Sequence, residues 1–407
     1  MTQLFSCPVR SVVALTLTGA LVAACDEPES DGAPLAVVEN LEEESTRLAD
    51  RLGPNARVEL DAAALFTQLR AVAVGERAEL EVPRSDGPAW RLTLVRTPHF
   101  AEDFRVGLVD GDGDVQQEVL PLLHFRGTVD DDEAAPATLL VSPEHAALTI
   151  ADGDDRVVIE PLALHGVASA DAVAYRRSLA DAAHASAGPP TCGTDAAMAT
   201  DDPGGPPPQA RAACWQVEVR AHGDYEYFAS VGGDSNLAAF FIAVTISDAS
   251  AAYAAINLDL TVPSGGITIL TDPGNGLYYP TSADSMTLLA QTRDFWNYFL
   301  GGYGRDIALL YSGKTWEGAV VGRAYVGQVC KALEWSYGIV RTGNYARAST
   351  AHEIGHLLGA DHSDGCGGGI MNSVIGGGET AFAQCSHDQM NWHLWFNNAC
   401  LHQAGCQ

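Results

Sequence analysis

Residues 352–362 read HEIGHLLGADH, which brings three imidazoles, a carboxylate and a glycine together within one short stretch. On a helix, four residues advance about 6 Å and rotate about 400°, so His352 and His356 sit one above the other on one face. Two ring nitrogens placed this way can share one zinc ion at roughly 2.0–2.1 Å. Glu353 adjoins the first of them, on the side where a metal-bound water would lie. It is placed to take a proton from that water and hand it to a leaving amine. Gly359 can adopt the positive φ that ends a helix and turns the chain back, so that His362 supplies a third ligand. The His-Glu-x-x-His element alone arises by chance in helical sequences. With the glycine and the third histidine at fixed spacing, a catalytic zinc becomes the expectation.

Such a helix needs a scaffold, and the C-terminal half of the chain provides the pattern for one. CWQVEVRAHG (214–223) reads as a strand, and SNLAAFFIAVTISDASAAYAAI (235–256) as a long apolar helix interrupted by Asp248. Two short strands are expected near 257–262 and 266–270. An amphipathic helix follows over 282–300, with Ser282 as its N-cap, and then a buried strand over 306–313. Strands alternating with helices predict an α/β domain with a mixed sheet.

Several stretches resemble the reprolysin (adamalysin) group of the metzincin zinc endopeptidases. GRAYVGQVC (322–330) is similar to the group's edge strand and the cysteine after it. YGIVRTGNYARASTAHEIGH (337–356) is similar to its last strand and active-site helix, and FAQCSHDQMNWHLWF (382–396) to its C-terminal helix and preceding cysteine. The likeness covers roughly 212–407. It implies a mixed, mostly parallel sheet with an active-site helix. It also implies a methionine turn beneath the metal at Met371, within Gly369-Ile370-Met371-Asn372. It implies Zn2+ as cofactor, Glu353 as general base, and protein or peptide substrates added as a strand along Gly322, Arg323, Ala324 and Tyr325. Two residues depart from the group: Ser363 stands where reprolysins carry aspartate and matrixins serine, and Gly369 where many reprolysins have cysteine. Arg323 replaces an apolar residue and is expected to alter subsite preference. Two other functions share these residues, an inactive adhesion module that keeps the fold and a zinc amidase acting on cell-wall peptides. The intact ligands and Glu353 argue against the first, and the metzincin-type residues against the second.

With 407 residues, two globular domains plus tails are expected. A formal net charge of −29 leaves no basic patch for phosphates and argues against nucleic acid as a partner. Residues 1–25 resemble a bacterial lipoprotein signal peptide: Arg10, an apolar stretch over 11–24, then Leu-Val-Ala-Ala-Cys ending at Cys25. Export to the cell envelope or beyond, with Cys25 lipidated as the one membrane attachment, is the expectation; ordinary cleavage near Ala24 is the alternative. Residues 26–55 are acidic and read as a tether that could include a short helix. Residues 56–177 alternate like short strands between Gly, Asp and Pro turns and predict a mostly β domain, similar to a reprolysin propeptide in FRGTV (125–129) and VVIEPL (157–162). Asp110, Asp112 and Asp114 could open a calcium loop, but no glutamate stands at its twelfth position, so a hairpin turn is expected. Residues 178–211 read as a Gly/Pro-rich, protease-accessible linker before a catalytic domain at 212–407.

Cys214, Cys330, Cys366, Cys385, Cys400 and Cys406 could form three bridges, and spacing alone cannot choose the pairing. The reprolysin resemblance implies Cys330–Cys400 and Cys366–Cys385, leaving Cys214–Cys406. Cys192, in PPTCGTD, is then unpaired. Its thiolate could take the zinc position that water needs, and the segment resembles the matrixin cysteine switch. The alternative is a bridge from Cys192 to Cys214.

Overall fold

The computed structural model describes residues 35–38, 48–84, 87–153, 155–167, 169–184, 189–194, 214–273, 279–300, 304–376, 379 and 381–404. Two sheets organise them. The N-terminal part contributes β1 (Leu35–Val38), β2 (Asn55–Leu60), α1 (Ala62–Leu69), β3 (Arg77–Val82), β4 (Trp90–Thr97), β5 (Arg105–Val109), β6 (Val115–Val119), β7 (Leu123–Val129), β8 (Asp132–Val141), β9 (Ala146–Asp152), β10 (Asp155–Pro161), β11 (Ala172–Arg176) and α2 (Arg177–His184). All of its strands except β5 and β6 form one antiparallel sheet in the order β1-β2-β11-β10-β9-β8-β7-β4-β3. Leu80, Leu92, Leu94, Phe125, Leu139 and Ile150 fill its core together with Leu65 and Leu69 of α1. Asp61 caps α1 by accepting from Ala64 N, 2.8 Å away.

The acidic stretch expected as a tether differs from that expectation. β1 pairs with β2, and Leu48 and Leu52 are buried against Val158 and Tyr175. The acidic composition of 26–55 masked the strand-forming segment LAVV, whose backbone pairs with β2, and the two leucines of 48–52, whose burial docks that stretch. The signal segment and Cys25 lie outside the described residues.

The second sheet is built from β12 (Thr191–Cys192), β13 (Cys214–Gly223), β14 (Leu258–Thr261), β15 (Ile267–Leu270), β16 (Ile307–Ser312), β17 (Val320–Ala324), β18 (Tyr337–Arg341) and β19 (His402–Ala404), with helices α3 (Tyr225–Ser230), α4 (Ser235–Tyr253), α5 (Ser285–Phe299), α6 (Ala346–Leu357) and α7 (Gln384–Phe396). Its order is β12-β17-β18-β16-β13-β15-β5-β6, with β14 and β19 pairing elsewhere along β13. Most neighbours are parallel; β17 runs antiparallel to β18. Every residue of β16 (IALLYS) is buried, as a parallel strand covered on both faces requires. The hairpin β5–β6 was expected inside the N-terminal β domain. It instead extends the second sheet, with β5 parallel to β15 from Val106 opposite Ile267 to Val109 opposite Leu270. Alternation marks a strand but does not say which sheet receives it. The Asp110 carboxylate accepts from the Asp112 and Asp114 amides and closes the hairpin turn.

α4 is apolar on all sides and is buried on all sides. It packs against α6, β14 and β15 and also meets β8 of the N-terminal sheet. Its mean hydropathy of 1.6 would suit a membrane span, but 78% of that window lies inside the protein, so it is the central core helix. α5 begins two residues later than expected. Asp284, not Ser282, is its N-cap and accepts from Thr287 N at 2.8 Å. In SADS, the aspartate reaches the amide three residues on, while Ser282 Oγ accepts from Asp284 N.

Candidate metal centre

α6 carries the motif and is buried almost along its whole length. It ends where Gly359 adopts φ +93°, with Gly359 N donating to His356 O and Ala360 N to Gly355 O. A side chain at Gly359 would be strained by that φ and would also meet His393 Cβ at 2.9 Å. The turn brings His362 back to the helix, its ring centroid 5.4 Å from that of His352 and 4.9 Å from that of His356. The structure therefore brings together the three histidines that the sequence singled out.

Two backbone carbonyls decide which ring nitrogen each helical histidine offers. His352 Nδ1 lies 2.6 Å from Ile370 O, and His356 Nδ1 2.7 Å from Ala360 O. A carbonyl only accepts, so both rings carry their proton on Nδ1 and turn Nε2 lone pairs inward. These Nε2 atoms are 3.0 Å apart. Burial pushes His352 down to about 3 and His356 well below the ordinary imidazole value, so protonation does not relieve the contact near neutrality. Two facing lone pairs repel unless a cation lies between them. Cys192 Sγ, 3.5 Å from His356 Nε2, completes the set: one donor atom from each of Cys192, His352, His356 and His362 lies within 4.8 Å of the others. Three imidazoles and a thiol at this spacing fit a tetrahedral zinc.

Met371 is fully buried beneath α6, where a side chain at Gly355 would overlap its sulfur. Ile370, next to it, supplies the carbonyl that orients His352. The residues that depart from the reprolysin pattern have local reasons. Ser363 Oγ donates to Gly368 O at 2.6 Å, and Ser363 N to Met371 O at 2.8 Å, so serine ties the methionine turn to the third histidine. Gly369 has φ +89°, and a Cβ there would lie 2.7 Å from Ala381 O, which leaves no room for a larger residue.

Glu353 is fully buried. Burial raises its carboxyl to about 8, with the Cys192 thiol, Arg323 and Thr194 pulling part of the way back. Gly322 on β17 borders the same space, and any side chain there would overlap the Glu353 carboxylate. Burial and the neighbouring Glu353 push the Cys192 thiol up, the reverse of what a bound dication would do to it.

The cleft is filled. Residues 190–194 run along β17 as a parallel strand, with Thr191 N donating to Ala319 O and Gly193 N to Gly322 O, both at 2.9 Å. On their other side Cys192 N donates to Ser373 O, and Ile375 N to Pro190 O. Thr194 Oγ1 accepts from Ala324 N at 3.0 Å. The expected edge strand is therefore covered by the segment that carries Cys192. Thr194 and the 373–375 wall escaped notice in the sequence because neither belongs to a spacing pattern. Cys192 is a free thiol, which removes the alternative bridge to Cys214. Cys330 pairs with Cys400, and Cys366 with Cys385. Cys214 is disulfide-bonded, while Cys406 lies outside the described residues.

A second network, also unsuspected, joins the two halves. Arg347 of α6 pairs with Asp248 of α4 through Nη1, and its Nη2 donates to Glu160 Oε2 of β10 at 2.5 Å. Glu160 also accepts from Tyr175 OH at 2.7 Å and from His165 Nε2 at 3.0 Å. Burial alone would raise the Glu160 carboxyl, but Arg347 and His165 outweigh it and hold it far below the carboxylate range.

Comparison with known proteins agrees with this geometry. Residues 215–393 match the family model described as metallo-peptidase family M12. A zinc metalloproteinase-disintegrin-like protein of Cerberus rynchops is 41% identical over 64 residues, 15% of this chain and 10% of its own length. Disintegrin and metalloproteinase domain-containing protein 33 of Homo sapiens is 36% identical over 115 residues, 24% and 14% of the two chains. Zinc metalloproteinase recombinant fibrinogenase II of Deinagkistrodon acutus is 30% identical over 145 residues, 33% and 60%. The chain thus spans from a tenth to three-fifths of the length of these relatives. The crystal structure of metalloproteinase-II from Bacteroides fragilis shares the fold, with a TM-score of 0.54 at 13% identity over 80% of this chain and 93% of that one.

Proposed function

We propose, from the match of residues 215–393 to the M12 metallopeptidase family model, that this chain is the zymogen of a zinc-dependent endopeptidase. His352, His356 and His362 would hold the zinc, which when bound supplies Lewis acidity and a water acidic enough to attack a peptide near neutral pH. Glu353 lies beside that position in a dry pocket, where a carboxyl raised by burial suits proton transfer. It would take the proton of the attacking water and return it to the leaving nitrogen. The β17 backbone offers Gly322 O, and the 373–375 segment offers Ser373 O, as two rails for an extended peptide.

One observation carries the zymogen proposal: a free Cys192 thiol sits among the three histidines, and its flanking residues hold both rails. A thiolate there excludes the water that the reaction needs. Processing between Cys192 and Cys214, for example after Arg211, would free the cleft once the N-terminal piece dissociates. Export and lipidation at Cys25 are also proposed, supported by the Leu-Val-Ala-Ala-Cys sequence that ends the apolar N-terminal stretch.

Metal analysis combined with Glu353→Ala tests the chemistry. The variant should bind one zinc per chain and, after processing, lose nearly all hydrolysis of denatured protein. Zinc loss in that variant would mean that Glu353 is a ligand, and undiminished hydrolysis would remove it from the mechanism.

A further inference from the structure

Arg323 stands on the wall of the cleft with one guanidinium nitrogen left without an acceptor. It follows Gly322 on β17, so its side chain leaves the sheet on the face opposite Glu353, toward the start of α5. There Nε donates to Ser285 Oγ at 3.0 Å, and Nη2 lies 3.9 Å from a Glu317 oxygen. That oxygen is already engaged with Ser285, and the other one accepts from Ser285 N at 2.8 Å. Nη1 is buried without a hydrogen-bond partner, although the side chain is only 10% exposed. A buried guanidinium nitrogen without an acceptor is costly, and it marks a place for one.

The residue that covers this guanidinium is Gly193. A Cβ built on Gly193 would lie 2.5 Å from Nη2 and 2.7 Å from Cζ. The inhibitory segment thus runs past Arg323 with no side chain to present to it, next to the cysteine at the metal centre. An extended peptide that replaced residues 190–194 along β17 would put one of its side chains where Gly193 has none. The long arginine can move aside by the ångström or so that this requires, and its free nitrogen would then face the newcomer.

We propose that Arg323 is a specificity-determining residue that selects substrates with an aspartate or glutamate at the position Gly193 now occupies. A carboxylate there accepts a charge-assisted hydrogen bond from Nη1, while an amide offers a weaker acceptor and an aliphatic group none. The chain's overall negative charge does not cancel the effect, since charges farther away than about 8–10 Å are screened at physiological salt. This inference rests on the peptidase function proposed above.

The test uses the full chain, cut between residues 195 and 213 by added trypsin that is then blocked, and diluted until the N-terminal piece has separated from the remainder. The substrates are matched peptides that differ at one position around the scissile bond, carrying Asp, Asn, Glu, Gln or Leu. At one position, kcat/KM for the acid should exceed that for its amide by about 10- to 100-fold. In Arg323→Leu that ratio should fall to about one, and Arg323→Lys, which keeps the charge, should retain part of it. Zinc content reports whether each variant has folded. An acid-to-amide ratio near one in the wild type, or one unchanged in zinc-loaded Arg323→Leu, overturns the inference. If zinc-loaded wild type hydrolyses none of the peptides, the peptidase proposal itself fails, and the inference with it.

Discussion

Glu160→Gln probes what holds the two halves together. Three donors converge on the Glu160 carboxylate: the Tyr175 hydroxyl, the His165 ring and the Arg347 guanidinium. Glutamine keeps one carbonyl oxygen and points an NH2 at the remaining donors. The substitution therefore loses at least one charge-assisted hydrogen bond, worth about 1.5–3 kcal/mol, and leaves a buried donor opposed, at about 1 kcal/mol more. A net loss of about 2–4 kcal/mol follows. Asp248 still neutralises Arg347 from within the catalytic half, so the loss falls on the contact between the halves and spares the catalytic core. After a cut in 195–213, dissociation of the N-terminal piece should be about 30- to 700-fold more favourable in the variant, at about 1.4 kcal/mol per tenfold. The assay follows activity in nicked wild type and variant diluted over several decades of concentration, with the half-activation concentration read for each. If the two concentrations agree within threefold, Glu160 is a passenger and the accounting is wrong. Asp248→Asn is the control: lying in the core of the catalytic half, it should also lower the denaturation midpoint of the processed enzyme.

Cys192→Ala should make the uncut chain at least about tenfold more active than wild type, and mercurials should do the same to the wild type; a variant as silent as wild type would mean that steric blockage alone keeps the cleft shut. His99 and His124 pack ring to ring, 4.6 Å apart, beside the Arg126–Asp259 pair and Thr97. Burial first, then Arg126 and for His124 also His99, hold both well below the ordinary imidazole value. The unfolded chain binds these protons below about pH 6.5 and the folded chain does not. Stability present above that pH is therefore lost as pH falls, by up to about 1.4 kcal/mol per unit for each histidine. Denaturant midpoints of His124→Asn between pH 5 and 7.5 should show a shallower slope than wild type, and identical slopes would rule out a neutral buried His124. Cys25→Ser should abolish labelling by fatty-acid analogues and release the protein from membranes; an unmodified mature N-terminus in the wild type would end the lipoprotein proposal.

The catalytic centre was legible because its chemistry is local. His352, Glu353, His356, Gly359 and His362 fall within one helix and its terminal turn, where spacing translates directly into geometry. What joins distant segments was not. Asp248 was visible only as an interruption in an apolar helix; its partner Arg347 is 99 residues away, and Glu160 is 187 residues from that arginine. The β5–β6 hairpin announced itself as two strands, but alternation carries no information about the sheet it joins. The tether expectation failed for a related reason: average acidity over 26–55 hid Leu48 and Leu52, which are buried, and a segment whose backbone pairs with β2. Cys192 lies between these cases. Counting cysteines made it the odd one, but only the fold puts it among the three histidines.

The strand β5 adds a condition to activation that cutting the chain does not meet. Its ladder to β15, and the bonds from Gly265 N to Arg105 O and from Thr271 N to Val109 O, survive any cut in residues 195–213. If the chain is a zymogen as proposed, a nicked molecule would be a two-chain complex held shut by mass action. The N-terminal piece loses the high effective concentration that the covalent link gave it, and it stays or leaves according to how crowded the surroundings are. Its departure also leaves β15 as a bare strand edge, open to any extended segment that can pair with it. On the zymogen proposal, a cut but concentrated molecule would stay quiet, and dilution into a large volume would open it.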